Sequence, residues 1–234
     1  MALLKLQEAY QALAPLKGRR FSSLFEEEEL CSIRRSRNKG IIGQLLERCA
    51  GLALSTRHLD FDDGELKSYK SNESGMPKET MAITQIGRGF DALFVEQVPY
   101  SETSLAKKIE NMLVIAVCKD PKGDPGEWFI PAMFHIMATQ GTYLHERLAM
   151  DLDAIRTQVG CQLSGGDGCL HTANGHYIQI RTKDSKDKTG SYHPIRSERL
   201  GRLVSNKGFA FYFRKQFMED LVDGTLAAEA LGRA

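Results

Sequence analysis

The sequence predicts a mixed α/β protein with a central sheet flanked by helices. Three observations lead there. Met112–Cys118 is an unbroken apolar run of strand length. Residues 142–160 place Leu144, Leu148, Leu152 and Ile155 on one helical face. Helical stretches open the chain, strands follow, then a long helix, then strands again, without an internal repeat.

Each element follows from local pattern. Residues 2–14 carry Leu3, Leu4, Leu6, Tyr10 and Leu13 at helical spacing and stop near Pro15. Ser22 or Ser23 is the expected cap of a short acidic helix over 24–30, and a third helix is expected over 39–50, burying Ile41, Ile42, Leu45 and Leu46. From His58 to Tyr69 an entry loop, a tight Asp-Gly turn and a strand follow one another. Residues 68–79 read as a polar loop, 80–86 as a strand and 104–111 as a short helix leading into 112–118. The stretch 119–126, with Pro121, Gly123, Pro125 and Gly126, must turn. Residues 127–135 are expected to pair back as a strand, 164–168 to form a Gly-rich loop, 177–182 a strand, 184–206 an irregular basic segment, 208–214 a strand and 215–222 a helix.

The composition narrows the class. Hydrophobic residues make up 42% and charged residues 26%, as in ordinary globular chains, with a formal net charge of +1. No apolar run nears bilayer-spanning length, and the N-terminus is charged too early for a signal peptide, so a soluble cytoplasmic protein is expected. Five cysteines without a Cys-x-x-Cys pair predict reduced thiols, and six histidines without zinc-hydrolase spacing argue against a zinc enzyme.

The near-neutral total hides an asymmetry. Between His176 and Lys215 ten basic residues face three acidic ones, about +7 by charge counting. A second basic cluster runs over 34–39, while acids gather at 26–29 and 60–65. This separation points to a surface for a polyanion.

The most informative residues are Asp60, Glu65 and Lys67. In a strand Glu65 and Lys67 share one face, and Asp60 can return across the turn beside Glu65. Two carboxylates at one point suit a hard divalent cation such as Mg²⁺, and an adjacent ammonium offsets charge developing on a phosphate. The same string also describes an ordinary exposed hairpin tip.

The surroundings of this string separate the two readings. Lys39-Gly40-Ile41-Ile42-Gly43-Gln44-Leu45-Leu46-Glu47 precedes Leu59-Asp60-Phe61 and Gly64-Glu65-Leu66-Lys67. Farther on come Glu79-Thr80, Glu102-Thr103-Ser104, and Lys108-Ile109 ahead of Leu113–Val117. Tyr177-Ile178-Gln179-Ile180-Arg181-Thr182-Lys183 and Lys207-Gly208-Phe209 through Lys215 complete the series. In this order the strings resemble the MutH-type mismatch-repair nicking endonucleases and their GATC-cutting restriction relatives, members of the PD-(D/E)xK nucleases, over roughly residues 35–222.

The resemblance implies a restriction-endonuclease-like fold in a single nuclease domain over 1–234, with a catalytic lobe over about 1–120 and a DNA-recognition lobe over about 121–234. It implies Asp60 and Glu65 as metal ligands, Lys67 as the catalytic lysine, and Glu47 and Lys108 as further active-site residues. Arg181 and Lys183 match positions that reach into the DNA groove. Lys39 and Lys207 match backbone contacts, and Arg37 and Tyr212 lie beside them as further DNA-binding candidates. The family Asp stands about seven residues before its Glu, but Asp60 stands five before Glu65, which makes Asp62 a rival ligand. Asp60 is preferred because it keeps the following Phe61. The implied cofactor is Mg²⁺, with Mn²⁺ as substitute, and the implied partner is double-stranded DNA, with no membrane role. The leading expectation is a type II restriction enzyme leaving 5'-phosphate ends. A MutH-type enzyme nicking hemimethylated GATC with a MutL-type activator, and a catalytically silent DNA-binding module, are the rivals. One catalytic centre per chain makes a double-strand cut the work of a homodimer or of a second binding event.

Overall fold

The computed structural model describes residues 4–35, 40–52, 58–120, 123–165, 167–184 and 190–226. In chain order the first elements are α1 (Leu6–Leu13), α2 (Glu27–Arg35), α3 (Ile41–Cys49), β1 (Glu65–Ser71), β2 (Met81–Gln85), α4 (Phe90–Phe94), α5 (Ser104–Ile109), β3 (Asn111–Cys118) and β4 (Met133–Met137). Then come α6 (Tyr143–Ser164), β5 (Ala173–Asn174), β6 (Ile178–Thr182), β7 (Ile195–Ser197), β8 (Arg202–Ser205), β9 (Phe209–Phe213) and α7 (Lys215–Val222). The protein is mixed α/β, and no helix among the described residues is long and apolar enough to cross a membrane.

The chain divides into two compact units. The first comprises Met1–Glu79, Ile109–Met137 and Met218–Ala234, the second Thr80–Lys108 and Ala138–Phe217. The lobe boundary expected near residue 120 falls inside the first unit, because β4 pairs back onto β3. In place of the single central sheet expected from the strand pattern, the described residues form three sheets. Alternation identifies a strand and its buried face but says nothing of its partner.

The first unit holds a three-stranded sheet in the order β1-β3-β4. β1 runs parallel to β3, with Glu65 opposite Met112, and β4 is antiparallel to β3. Met112–Val117 are all buried, as an apolar central strand requires. Leu6, Ala9 and Leu13 of α1 and Ile42, Leu45 and Leu46 of α3 share one core with Leu66, Leu113 and Ile115. Their spacing of three and four residues is one helical face.

Two elements are displaced from expectation. The acidic helix begins at Glu27, not Leu24, because Phe21–Ser23 form a 3-10 turn in which the Ser23 hydroxyl donates to the Arg20 carbonyl instead of capping. Glu27, Glu28 and Glu29 then occupy its first turn and Arg34 and Arg35 its last, matching the helix dipole at both ends. The returning strand β4 begins at Met133 rather than Glu127. Phe129 makes only isolated bridges, and Pro131 has no N–H to give a ladder.

The second unit holds an antiparallel sheet ordered β2-β9-β6-β5, and α6 packs on β5 and β6. Ile178, Ile180, Phe211 and Phe213 are buried, as are Leu144, Leu148, Leu152, Ile155 and Val159 of α6. The segment expected to be irregular over 184–206 contains the hairpin β7-β8. Its turn is held by the Asp91 carboxylate, which accepts from the Ser197 hydroxyl and from the amides of Glu198 (2.8 Å) and Arg199 (3.2 Å).

A buried carboxylate fixes the start of β6. Asp151 is 3% exposed and accepts from the amides of His176 (2.8 Å), Tyr177 (2.6 Å) and Ile178 (3.0 Å). Only glycine fits at 175, where a Cβ would lie 2.6 Å from the Asp151 Cγ. Asp151→Ala would orphan three main-chain donors. It is expected to destabilise the protein by about 3 kcal/mol or more, measured as a lower urea midpoint at unchanged m-value. A loss below about 1 kcal/mol would show that water replaces the carboxylate.

Candidate active site

The site is built at the N-terminal end of β1. Phe61 donates its amide to the Gly64 carbonyl (3.0 Å), closing the turn, and the Asp60 Oδ2 accepts from the Leu66 amide (3.0 Å). Asp60 is thereby folded back onto the strand. Glu65 is 1% exposed, although a carboxylate this deep is costly without a cation. A cation beside it is Lys67, whose ammonium contacts Glu65 Oε1, lies 3.8 Å from Asp60 Oδ2 and donates to the Leu66 carbonyl at 3.3 Å. Three protein oxygens thus converge on one positive charge.

Glu47 on α3 completes the electrostatic picture. Burial pushes its carboxyl pKa up, and the negative charges of Asp60 and Glu65 push it further, against the pull of Lys67. Among the described residues no three His, Cys, Asp or Glu side chains group closely enough to hold a metal together. The oxygens grouped around the Lys67 ammonium, those of the two carboxylates and the Leu66 carbonyl, are donors that one ion could use. This all-oxygen set is short on protein ligands. It fits Mg²⁺, which keeps several waters and takes phosphate oxygens, better than it fits Ca²⁺ or Zn²⁺.

The rival Asp62 is exposed, and its amide donates to the Leu4 carbonyl (3.2 Å). Asp63 is engaged elsewhere, its Oδ1 accepting from the Leu6 amide (2.8 Å) at the start of α1. The structure thus gathers Asp60, Glu65 and Lys67, with Glu47 in electrostatic range. Lys108 lies on α5 in the second unit. Arg37 and Lys39 lie outside the described residues.

The remaining candidates belong to the second unit. The Arg181 guanidinium sits 5.3 Å from the centre of the Tyr212 ring, and its Nη1 reaches Thr80 Oγ1 at 3.4 Å. The Tyr212 phenol pKa is raised by burial and eased down by Arg181. Lys183 is exposed just beyond β6, and the Lys207 ammonium lies 5.0 Å from the Tyr192 ring centre. The β6 and β9 ends are tied together by Asp184, whose side chain is 4% exposed. It accepts from the amides of Gly208 and His193 (both 2.7 Å) and from His193 Nδ1 (2.8 Å).

Sequence reasoning missed Thr80, Tyr192, Asp184 and His193. None of them announced its contact, since each partner lies nine or more residues away along the chain. Compared with protein-family models and with curated proteins, the chain matches none.

Proposed function

We propose that the protein is a Mg²⁺-dependent, sequence-specific double-stranded DNA endonuclease of the PD-(D/E)xK type, acting as a type II restriction enzyme. The observation that carries this reading is the convergence of Asp60, Glu65 and the Leu66 carbonyl on the Lys67 ammonium. A salt bridge alone does not call for two carboxylates and a carbonyl around one lysine, one carboxylate being almost wholly buried. The parallel β1-β3 pair with antiparallel β4 supports the fold assignment.

Asp60 and Glu65 would hold the ion, which when bound supplies Lewis-acid activation of water and of the scissile phosphate. Lys67 offsets negative charge growing on a phosphate oxygen. Glu47, with its pKa raised by burial and by its acidic neighbours, takes up a proton more readily than an ordinary carboxylate. Arg181, Lys183 and Lys207 supply charge for the DNA.

Supercoiled plasmid incubated with Mg²⁺ tests the reading. Linear product with 5'-phosphate ends at one sequence, lost in EDTA, is expected. Nicked circles alone would favour the MutH-type reading, and intact plasmid under Mg²⁺ and Mn²⁺ would overturn both.

Sequence reading is predicted to reside in Arg181. Tyr212 and Thr80 hold its guanidinium, so its donors are oriented before DNA arrives. Arg181→Ala is expected to cost about 1–3 kcal/mol on the cognate duplex and much less on random DNA. Lys207→Ala should weaken both alike and lower the salt slope by about one unit. Equal losses on both duplexes for Arg181→Ala, measured in Ca²⁺, would make it a phosphate contact only.

A further inference from the structure

The turn that carries Asp60 and Glu65 is pinned from outside by a side chain with no role in the proposed chemistry. Asn111, the first residue of β3, donates Nδ2–H to the Asp63 carbonyl at 2.6 Å. Its Oδ1 lies 2.6 Å from Nε2 of His135 on β4. The orientation of this amide follows from chemistry. The Asp63 carbonyl can only accept, so the Asn111 NH₂ must face it and the Asn111 oxygen must face His135. His135 therefore carries its proton on Nε2 and donates. Burial pushes the His135 pKa down against the opposing effect of Asp63, in keeping with a neutral ring. The backbone is equally tight here, since a Cβ on Gly64 would lie 2.6 Å from the Asn111 carbonyl oxygen and 2.7 Å from a Leu6 methyl.

We infer that Asn111, oriented by His135, is a positioning residue for the cation site: it fixes the Asp63–Gly64 peptide so that Asp60 and Glu65 stand together before an ion arrives. The inference rests on the metal-dependent reading above. It also bears on the short link between the two acids, five residues here. A short link can bring both carboxylates to one point only if its peptides are held in one conformation, and the Asn111 amide holds the Asp63–Gly64 peptide within that link. Groups bonded directly to metal ligands change metal affinity about 10- to 100-fold when removed, and Asn111, which acts one step farther out through the main chain, is expected at the low end of that range.

The test uses the full chain and Mn²⁺ alone, with free ion followed by electron paramagnetic resonance. Asn111→Ala is expected to weaken Mn²⁺ binding about tenfold. It should raise the Mg²⁺ concentration for half-maximal cleavage while leaving the rate at saturating Mg²⁺ within about threefold. His135→Ala, which leaves Asn111 in place but unoriented, should weaken binding in the same direction and serves if Asn111→Ala does not fold. His135→Gln, which restores an N–H donor, should recover affinity. A purely structural contact would lower the melting temperature and leave Mn²⁺ affinity below that temperature unchanged. Unchanged Mn²⁺ affinity in both Asn111→Ala and His135→Ala overturns the inference. If instead wild type binds Mn²⁺ no better than Glu65→Gln, the metal-dependent reading itself falls, and this inference with it.

Discussion

Glu65→Gln is expected to lose cleavage by about three orders of magnitude or more while keeping DNA affinity. Gln has the shape of Glu, so packing at a position only 1% exposed is preserved and the change is one of charge. The variant removes half of the anionic donor set and leaves the Leu66 carbonyl and Asp60 to hold the cation. Asp60→Asn should act alike, with a smaller stability cost because Asp60 is 23% exposed and its Leu66 hydrogen bond survives in the amide oxygen. Asp62→Asn is the control and should cleave at the wild-type rate, since Asp62 is solvent-exposed whereas Glu65 is buried. DNA binding is expected to hold or tighten in both active-site variants without metal, because fewer carboxylates then face the phosphates. Plasmid cleavage and binding assays measured on the same preparations decide the matter. Normal cleavage by Asp60→Asn with none by Asp62→Asn would move the metal ligand to Asp62.

How much of this was legible in the sequence depends on how far each residue's partner lies along the chain. Strand β3 and helix α6 follow from their own apolar patterns, and both lie within a few residues of the expected bounds. The Asp60–Glu65–Lys67 cluster was legible as geometry because a turn and a two-residue repeat are local facts. Glu47 entered only through the family resemblance, and in the structure the charges of Asp60, Lys67 and Glu65 act on its carboxyl. The hairpin β7-β8 was invisible because its turn is capped by Asp91, more than a hundred residues away. Asn111 was invisible for the same reason, its partner Asp63 being 48 residues distant. The division into three sheets escaped because edge pairing, such as β2 with β9, is chosen by tertiary contact and not by alternation.

Lys67 allows the sharpest separation of roles, because its substitution should move two measurements in opposite directions. The ammonium lies against Glu65 and Leu66 and near Asp60, on the oxygens that a metal ion would use. Its positive charge therefore opposes the ion electrostatically. Lys67→Met keeps the aliphatic stem and deletes the charge. Mn²⁺ binding should tighten, since two carboxylates are then uncompensated. The cleavage rate at saturating Mg²⁺ should nonetheless fall by about 10³-fold, because the charge proposed to stabilise the phosphate in the transition state is gone. That loss corresponds to about 4 kcal/mol of transition-state stabilisation. DNA affinity in Ca²⁺ should change little, since one phosphate contact is a small part of a polyanion interface. Matched losses in DNA affinity and cleavage would reduce Lys67 to a phosphate anchor. Weaker Mn²⁺ binding would show that the lysine organises the carboxylates instead of competing with the ion.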